Sequence, residues 1–365
     1  MRYPNVYSCG EAGGRDDLNE RWSTTRAREW HDHAPWLFGC NFTPSYAGNQ
    51  LEFWSKETFD PVVIARELGW ASGLGMNVVR VYLHDLLWKH DGERFIERVR
   101  TFLDIAESCG IRSMPVLFDG VWNPVPVWGP QQEPVPRVHN SMWVQSPGAE
   151  VMYDESRWPE LVSYVEHVLA AFANDGRVVA WDLFNEPDQL DLNTIVAGSR
   201  DHKAEVSARL VDEVFRWARE VHVSQPLTVG MWEYDNQVPV PSALNDVILN
   251  ESDIVSFHCY QSADALTGLI SNLAIHDRPL VCTEWLARSE GSTVDLISIF
   301  RDERVGAINW GLVDGKTQTR FPWRTWWEQV EEDEPWFHEL LHADGRPYDK
   351  EEVALLRSVA ANEIE

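Results

Sequence analysis

Eight short apolar runs, each followed by a loop and then by an amphipathic stretch, recur along the chain, and no other feature narrows the fold so far. The runs are Trp36–Asn41, Asn77–Tyr82, Arg112–Phe118, Val178–Phe184, Leu227–Met231, Ile254–His258, Leu280–Thr283 and Ala307–Trp310. They are rich in β-branched and aromatic residues, the composition of strands buried on both faces. Between them, Pro61–Gly73, Arg94–Cys109, Trp158–Ala173, Lys203–Val223, Ala263–Ile275 and Val294–Asp302 carry apolar residues at helical spacing, with a weaker pattern over Pro241–Leu249. Asp60-Pro61 and Asp91-Gly92 read as helix starts and Gly110 as a helix stop. Strands alternating with helices imply a parallel α/β sheet, and an eightfold count favours a closed (β/α)8 TIM barrel over an open doubly wound sheet. No G-x-G-x-x-G follows the first strand and no G-x-x-x-x-G-K-[ST] occurs, so a nucleotide-binding sheet has no phosphate cradle to support it. We assign residues 31–365 to one barrel and 1–30 to an N-terminal extension packed on it.

Charge excludes several partners. The 365 residues include 31 Lys and Arg against 58 Asp and Glu, a net −27, and polyanions such as nucleic acid or an anionic membrane need the opposite sign. No run reaches the ~20 apolar residues that span a bilayer, and the polar start after Met1-Arg2-Tyr3-Pro4 has no apolar signal core, so a cytoplasmic location is expected. The five cysteines form no C-x-x-C pair; Cys40, Cys259 and Cys282 lie in apolar runs and read as buried hydrophobes, with Cys9 and Cys109 elsewhere. His31, His33, His139, His222, His276, His338 and His342 show no ligand spacing, so neither a catalytic metal nor another cofactor is expected.

Nineteen tryptophans are more than a core requires, and sugar rings present C–H faces that stack on exposed indoles. Many of them fall in two long loops, Asp119–Arg157 after the third strand and Gly311–Asp349 after the eighth. In a barrel both loops lie at the C-terminal face, where active sites are built. Their aromatic content (Trp122, Trp128, Trp143, Trp323, Trp326, Trp327, Trp336) makes them walls of a cleft rather than disordered segments.

Two strands end in carboxylates. The fourth runs into Asn185-Glu186-Pro187 and the seventh into Glu284-Trp285. A carboxylate at the end of an apolar strand is costly unless used or paired. Strands four and seven stand across a barrel from each other, so Glu186 and Glu284 face one another over the mouth. Opposed carboxyls lined by aromatics suit glycoside hydrolysis: one stays protonated to expel the leaving group, the other stays ionised.

With these residues in place, the sequence resembles clan A glycoside hydrolases, and glycoside hydrolase family 5 most closely. The family pattern is matched by Arg80 on strand two, Asn185-Glu186 ending strand four, His258-Cys259-Tyr260 on strand six, Glu284 ending strand seven and Trp310 on strand eight. The resemblance implies retention of configuration, with Glu186 as acid/base and Glu284 as nucleophile. Arg80 and a hydrogen bond from Tyr260 would favour the ionised form of Glu284, while Glu186 lacks a cationic neighbour in the pattern. Asn185 would bind the 2-hydroxyl of the sugar and Trp310 would be its stacking floor. Where many relatives carry a His at the end of strand three, this chain has Asp119. Asp119 and His84 read either as ligands for sugar hydroxyls or as loop caps. Trp54, in the loop after strand one, is a candidate platform for a terminal sugar, and Trp122, Trp143, Trp232 and Trp285 are further candidates for the cleft.

The expected activity is therefore a retaining β-glycosidase on short oligosaccharides, exo-acting if the long loops close one end of the cleft. Two alternatives use the same residues: a transglycosylase, and a catalytically silent carbohydrate-binding barrel. An aldolase or isomerase would want a Schiff-base Lys or metal ligands at the strand ends, and none is found there. The identity of the sugar and the oligomeric state are not written in the sequence.

Overall fold

The structure, a computed structural model, describes residues 20–190, 198–232, 234 and 242–361. Residues 1–19 of the expected extension, Cys9 among them, lie outside the described residues. Eight parallel strands close into a barrel in sequence order. They are β1 Phe38–Asn41, β2 Val78–Tyr82, β3 Arg112–Asp119, β4 Trp181–Asn185, β5 Leu227–Met231, β6 Val255–His258, β7 Leu280–Glu284 and β8 Gly306–Trp310. Each matches an expected run. Closure is made by β8 on β1, with Phe38 opposite Ala307 and Asn41 opposite Trp310. The register also sets Asn41 beside Arg80, Asp119 beside Asn185 and His258 beside Glu284, so the polar residues of the pattern share the C-terminal rim.

Local chemistry fixes the surrounding helices. Asp60 caps Pro61–Gly73 by accepting from the amides of Val62 and Val63, with proline in the first turn where it lacks no bond. At Asp91-Gly92 a helix starts as expected, though without a side-chain cap. Gly92, at φ +49°, ends a helix over Asp85–Asp91 and begins the next over Glu93–Ser108, and Asp91 makes no cap. Short helices over Gln50–Trp54 and Asp85–Asp91, and a last one over Lys350–Ala361, add to those expected.

The two ends of the barrel differ in kind. At the N-terminal end, a helix over Thr24–His33 brings Trp30, with Trp22 ahead of it, against Leu37, Val78, Met114, Val179, Ile254, Val281 and Ile308, an apolar plug. Most of the core lies between the strands and the outer helices and includes the buried Cys40, Cys259 and Cys282, all free thiols as expected. At the other end the interior is polar: Arg80, Asp119, Asp182, Asn185, Glu186, His258 and Glu284 are all buried. Among the described residues, no helix is long and apolar enough to cross a membrane.

Candidate active site

Glu284 is the last residue of β7, and Glu186 follows β4 directly. Glu186 has left-handed backbone (φ +47°) held by bonds from its amide to the Gly230 carbonyl (2.8 Å) and from the Gln189 amide to its own carbonyl (3.1 Å). Its carbonyl packs on Gly120, where a Cβ would lie 2.7 Å from that oxygen, so the tight turn requires glycine there. A carboxylate oxygen of each glutamate and a ring nitrogen of His258 lie within 4.8 Å of one another. The two residues are only 6% and 4% exposed.

Their surroundings differ. Glu284 accepts from Arg80 Nη1 (2.9 Å), Tyr82 OH (2.7 Å) and Tyr260 OH (2.6 Å). Arg80 is fully buried and held on every side, by Asp182 through Nε (3.0 Å) and Nη2 (2.8 Å), by Asn41 Oδ1 (2.8 Å) and by Asn185 Oδ1 (2.7 Å). Space for this cluster exists because position 230 carries no side chain: a Cβ there would sit 3.1 Å from Arg80 Nη2 and 3.2 Å from both Asp182 and His258. Burial raises the pKa of Glu284, and Arg80 with the two tyrosine hydroxyls pulls it back toward the ionised form.

Among the described residues, the Glu186 carboxyl hydrogen-bonds only His258, whose Nδ1 lies 2.6 Å from Oε1. Burial, and then the Arg80 charge, hold His258 well below the usual imidazole range, so the ring is neutral and contributes no cation. Burial and then the charge of Glu284 push Glu186 well above the ordinary carboxyl value, with Asp188 and Asp119 adding to the push. The same surroundings therefore favour the proton on Glu186 over Glu284. Glu186, His258 and Glu284 approach each other as metal ligands would. The donor set fits a shared proton better, since a second cation would be repelled by the guanidinium already on Glu284.

The other expected residues divide. Trp310, Trp122 and Trp232 are half-buried around the pair, and Trp143 stands behind Trp310 with ring centroids 5.7 Å apart. Asp119 is a buttress rather than a free ligand. It accepts from Trp143 Nε1 (2.6 Å), Asn185 Nδ2 (3.0 Å) and Gln50 Nε2 (3.2 Å), and burial lifts its pKa to about 7. Of the two options for His84, the structure takes the cap: it is wholly buried, and its Nδ1 accepts from the Leu86 amide at the start of Asp85–Asp91. Two tryptophans need correction. Trp54 is 0% exposed, stacked on Phe53 (4.0 Å) with Nε1 donating to the Tyr82 carbonyl, so no face is left for a sugar. Trp285 follows Glu284 but points outward into the core against Phe300, also at 0% exposure.

Sequence reasoning missed Tyr82, Asp182, Asn41, His139 and His338 as site residues, and placed Trp323 only in a wall of the cleft. Tyr82 was within reach, because it stands two residues after Arg80 on β2 and alternation puts both on one face. Trp323 lies across the mouth from its own strand, 5.0 Å from Tyr260 and 6.1 Å from Trp232, by way of a loop path that no local pattern encodes.

That path is part of a wall. The loop after β3 joins the loop after β8 through Asn140 N to Thr317 O (2.8 Å), His139 N to Thr325 Oγ1 (2.9 Å), Arg137 N to Gln318 Oε1 (2.7 Å) and Trp326 Nε1 to His139 O (2.8 Å). Lys316 N to Ser45 O (3.0 Å) and Asn49 Nδ2 to Met142 O (2.9 Å) tie both to the loop after β1. The mouth is thus walled continuously above β8, β1, β2 and β3.

No protein-family model and no curated protein matches the sequence. Solved structures do match in fold. The GH5_18 protein of Streptomyces cattleya, in complex with Manb1-4GlcNAc, superposes with TM-score 0.64 at 14% identity over 91% of this chain and 82% of that one. The endo-1,4-beta-mannanase of Rhizomucor miehei gives 0.58 at 14% over 90% and 95%. The exo-beta-1,4-mannosidase Op5Man5 of Opitutaceae bacterium strain TAV5 gives 0.58 at 17% over 89% of this chain and 59% of that one. The likeness is one of fold: the chain has the (β/α)8 barrel found in family 5 glycoside hydrolases.

Proposed function

We propose that the protein is a retaining β-glycosidase in which Glu284 is the nucleophile and Glu186 the acid/base. The observation that carries the proposal is the unequal treatment of two carboxyls whose oxygens lie within 4.8 Å. Retaining enzymes hold their carboxyls about 5–5.5 Å apart, whereas inverting enzymes leave about 6.5–9.5 Å for a water. Glu284, ionised among Arg80, Tyr82 and Tyr260, attacks the anomeric carbon as the bond to the leaving oxygen breaks. Glu186 gives its proton to that oxygen. The resulting Glu186 carboxylate then takes a proton from water, whose oxygen displaces Glu284 and restores both groups. Asn185, held by Arg80 and Asp119, keeps its second amide hydrogen for the 2-hydroxyl of the sugar, with Trp310 as the stacking floor. The test is a panel of aryl β-glycosides with product anomers followed by NMR, wild type beside Glu284→Ala. Release by the wild type alone with the β-anomer first is expected; the α-anomer first would overturn the nucleophile assignment, and silence would overturn the activity.

The same reading extends to exo action on short β-mannosides. Glu186 stands at β4, across the mouth from β8, so the leaving group departs away from the wall and the glycone end meets it. Mannose is in the printed names of all three neighbours described above, which puts β-mannosides first in the panel. Digestion of end-labelled β-1,4-mannotetraose should shorten the chain by one sugar at a time. Early dimer and trimer fragments from internal cleavage would refute the exo mode.

A further inference from the structure

Two buried histidines, His139 and His338, line the same chamber and play no part in the mechanism above. Their rings are 5.3 Å apart, and His338 lies 5.5 Å from Tyr260, whose hydroxyl bonds Glu284, and 6.4 Å from Trp310. His139 is 5.6 Å from Trp122 and 6.4 Å from Trp323. The Nδ1 of each ring meets a backbone carbonyl, Phe321 O for His139 (2.7 Å) and Leu286 O for His338. A carbonyl only accepts, so in both rings Nδ1 carries the hydrogen and a neutral ring is left with a bare lone pair on Nε2. Both rings are neutral: burial brings His139 down to about 4 and holds His338 well below the usual imidazole range. Among the described residues, the hydrogen bonds of both side chains run through Nδ1. Each ring is at most 2% exposed and packs among the aromatic side chains around the mouth.

We propose that His338 and His139 determine specificity by accepting hydrogen bonds, through Nε2, from hydroxyl groups of the bound saccharide. This deepens the glycosidase reading and rests on it. Fixed acceptors select for a hydroxyl donor at one place and against any sugar that lacks it, because a lone pair desolvated without a partner is a penalty rather than a missed bonus. A purely structural role, pinning the two loops through Nδ1, would show no such selectivity.

Two measurements separate the possibilities. Long-range ¹H–¹⁵N spectra of protein carrying [¹⁵N]His should show Nδ1 protonated and Nε2 bare in both rings at neutral pH, whatever the activity. Titration of Glu284→Ala protein with Manβ1-4GlcNAc should move the Nε2 resonances. A protonated Nε2, or resonances that ignore the sugar as it binds, would overturn the proposal. In kinetics, single-deoxy analogues of 4-nitrophenyl β-mannoside are compared in wild type and His338→Phe. For one position the wild type should lose roughly 10- to 100-fold in kcat/KM on removal of the hydroxyl, and His338→Phe should lose almost nothing further. His338→Gln, which restores an acceptor, should recover part of the discrimination. Equal penalties in wild type and variant would overturn the assignment of His338, and His139→Phe provides the same comparison if His338→Phe does not fold. Wild-type silence on every aryl glycoside would instead mark the failure of the glycosidase reading, with the sugar titration still deciding for or against the histidines.

Discussion

The surroundings of Glu284 and Glu186 are separated by a few ångströms and built on opposite plans. Around Glu284 three groups donate: a guanidinium locked by three side chains from β1 and β4, and two phenols from β2 and the segment after β6. Around Glu186 the hydrogen-bond partner is one neutral imidazole, and the negative charges of Glu284, Asp188 and Asp119 outweigh the positive charge of Arg80. Burial alone would protonate both carboxyls. What splits them is the distribution of donors, so the difference in role is a matter of hydrogen-bond supply rather than of depth.

That contrast can be broken from either side. Glu284→Ala should have the largest effect, a loss of about 10⁴-fold or more in kcat, with the fold intact by circular dichroism. Glu186→Ala should cost about 10²–10⁴-fold on poor leaving groups and far less on a dinitrophenyl glycoside, which needs no proton; equal losses on both substrates would remove Glu186 from the acid role. Tyr260→Phe and Tyr82→Phe each remove a hydrogen bond to a charged group, about 1.5–3 kcal/mol or roughly 10- to 100-fold in kcat/KM. The sign on pH is definite. On the proposed mechanism activity needs Glu284 ionised and Glu186 protonated, so losing a donor raises the pKa of Glu284 and moves the acid limb of the profile to higher pH. Conversely, Glu284→Gln removes the negative charge that helps hold the proton on Glu186, and the carboxyl band of Glu186 in infrared titrations should be lost at lower pH than in the wild type. Smallest on catalysis should be Asp119→Ala, which leaves Asn185 and Trp143 donors unmatched and costs about 1–3 kcal/mol in denaturant stability.

The barrel itself was legible in the sequence because its strands are short apolar runs at regular intervals, a signal set by burial and independent of the loops. Glu186 and Glu284 were legible because each stands at the end of a strand, where position in the chain fixes position on the rim; Arg80, Asn185, His258, Tyr260 and Trp310 came from the resemblance to family 5. Tyr82 followed from the same alternation and was overlooked. Trp54 and Trp285 were misjudged because an indole beside the mouth can turn outward as readily as inward, and packing on Phe53 and Phe300 decides which. Where Trp323, His139 and His338 come to lie was invisible for a different reason. They reach the chamber through loops whose course is set by contacts between segments almost 200 residues apart, such as Arg137 with Gln318.

Those long-range contacts also bear on how the protein comes into being. As the chain leaves the ribosome, the glutamates at 186 and 284 emerge before the strand at 306–310 that closes the ring on β1, and before the segment near 317–326 that completes the wall. Until then the pairing partners of β1 on one side are missing, and contacts of such high sequence separation form slowly. A nascent chain therefore holds both glutamates while the rim around them is still unbuilt, and on the proposed mechanism activity becomes a readout of finished synthesis.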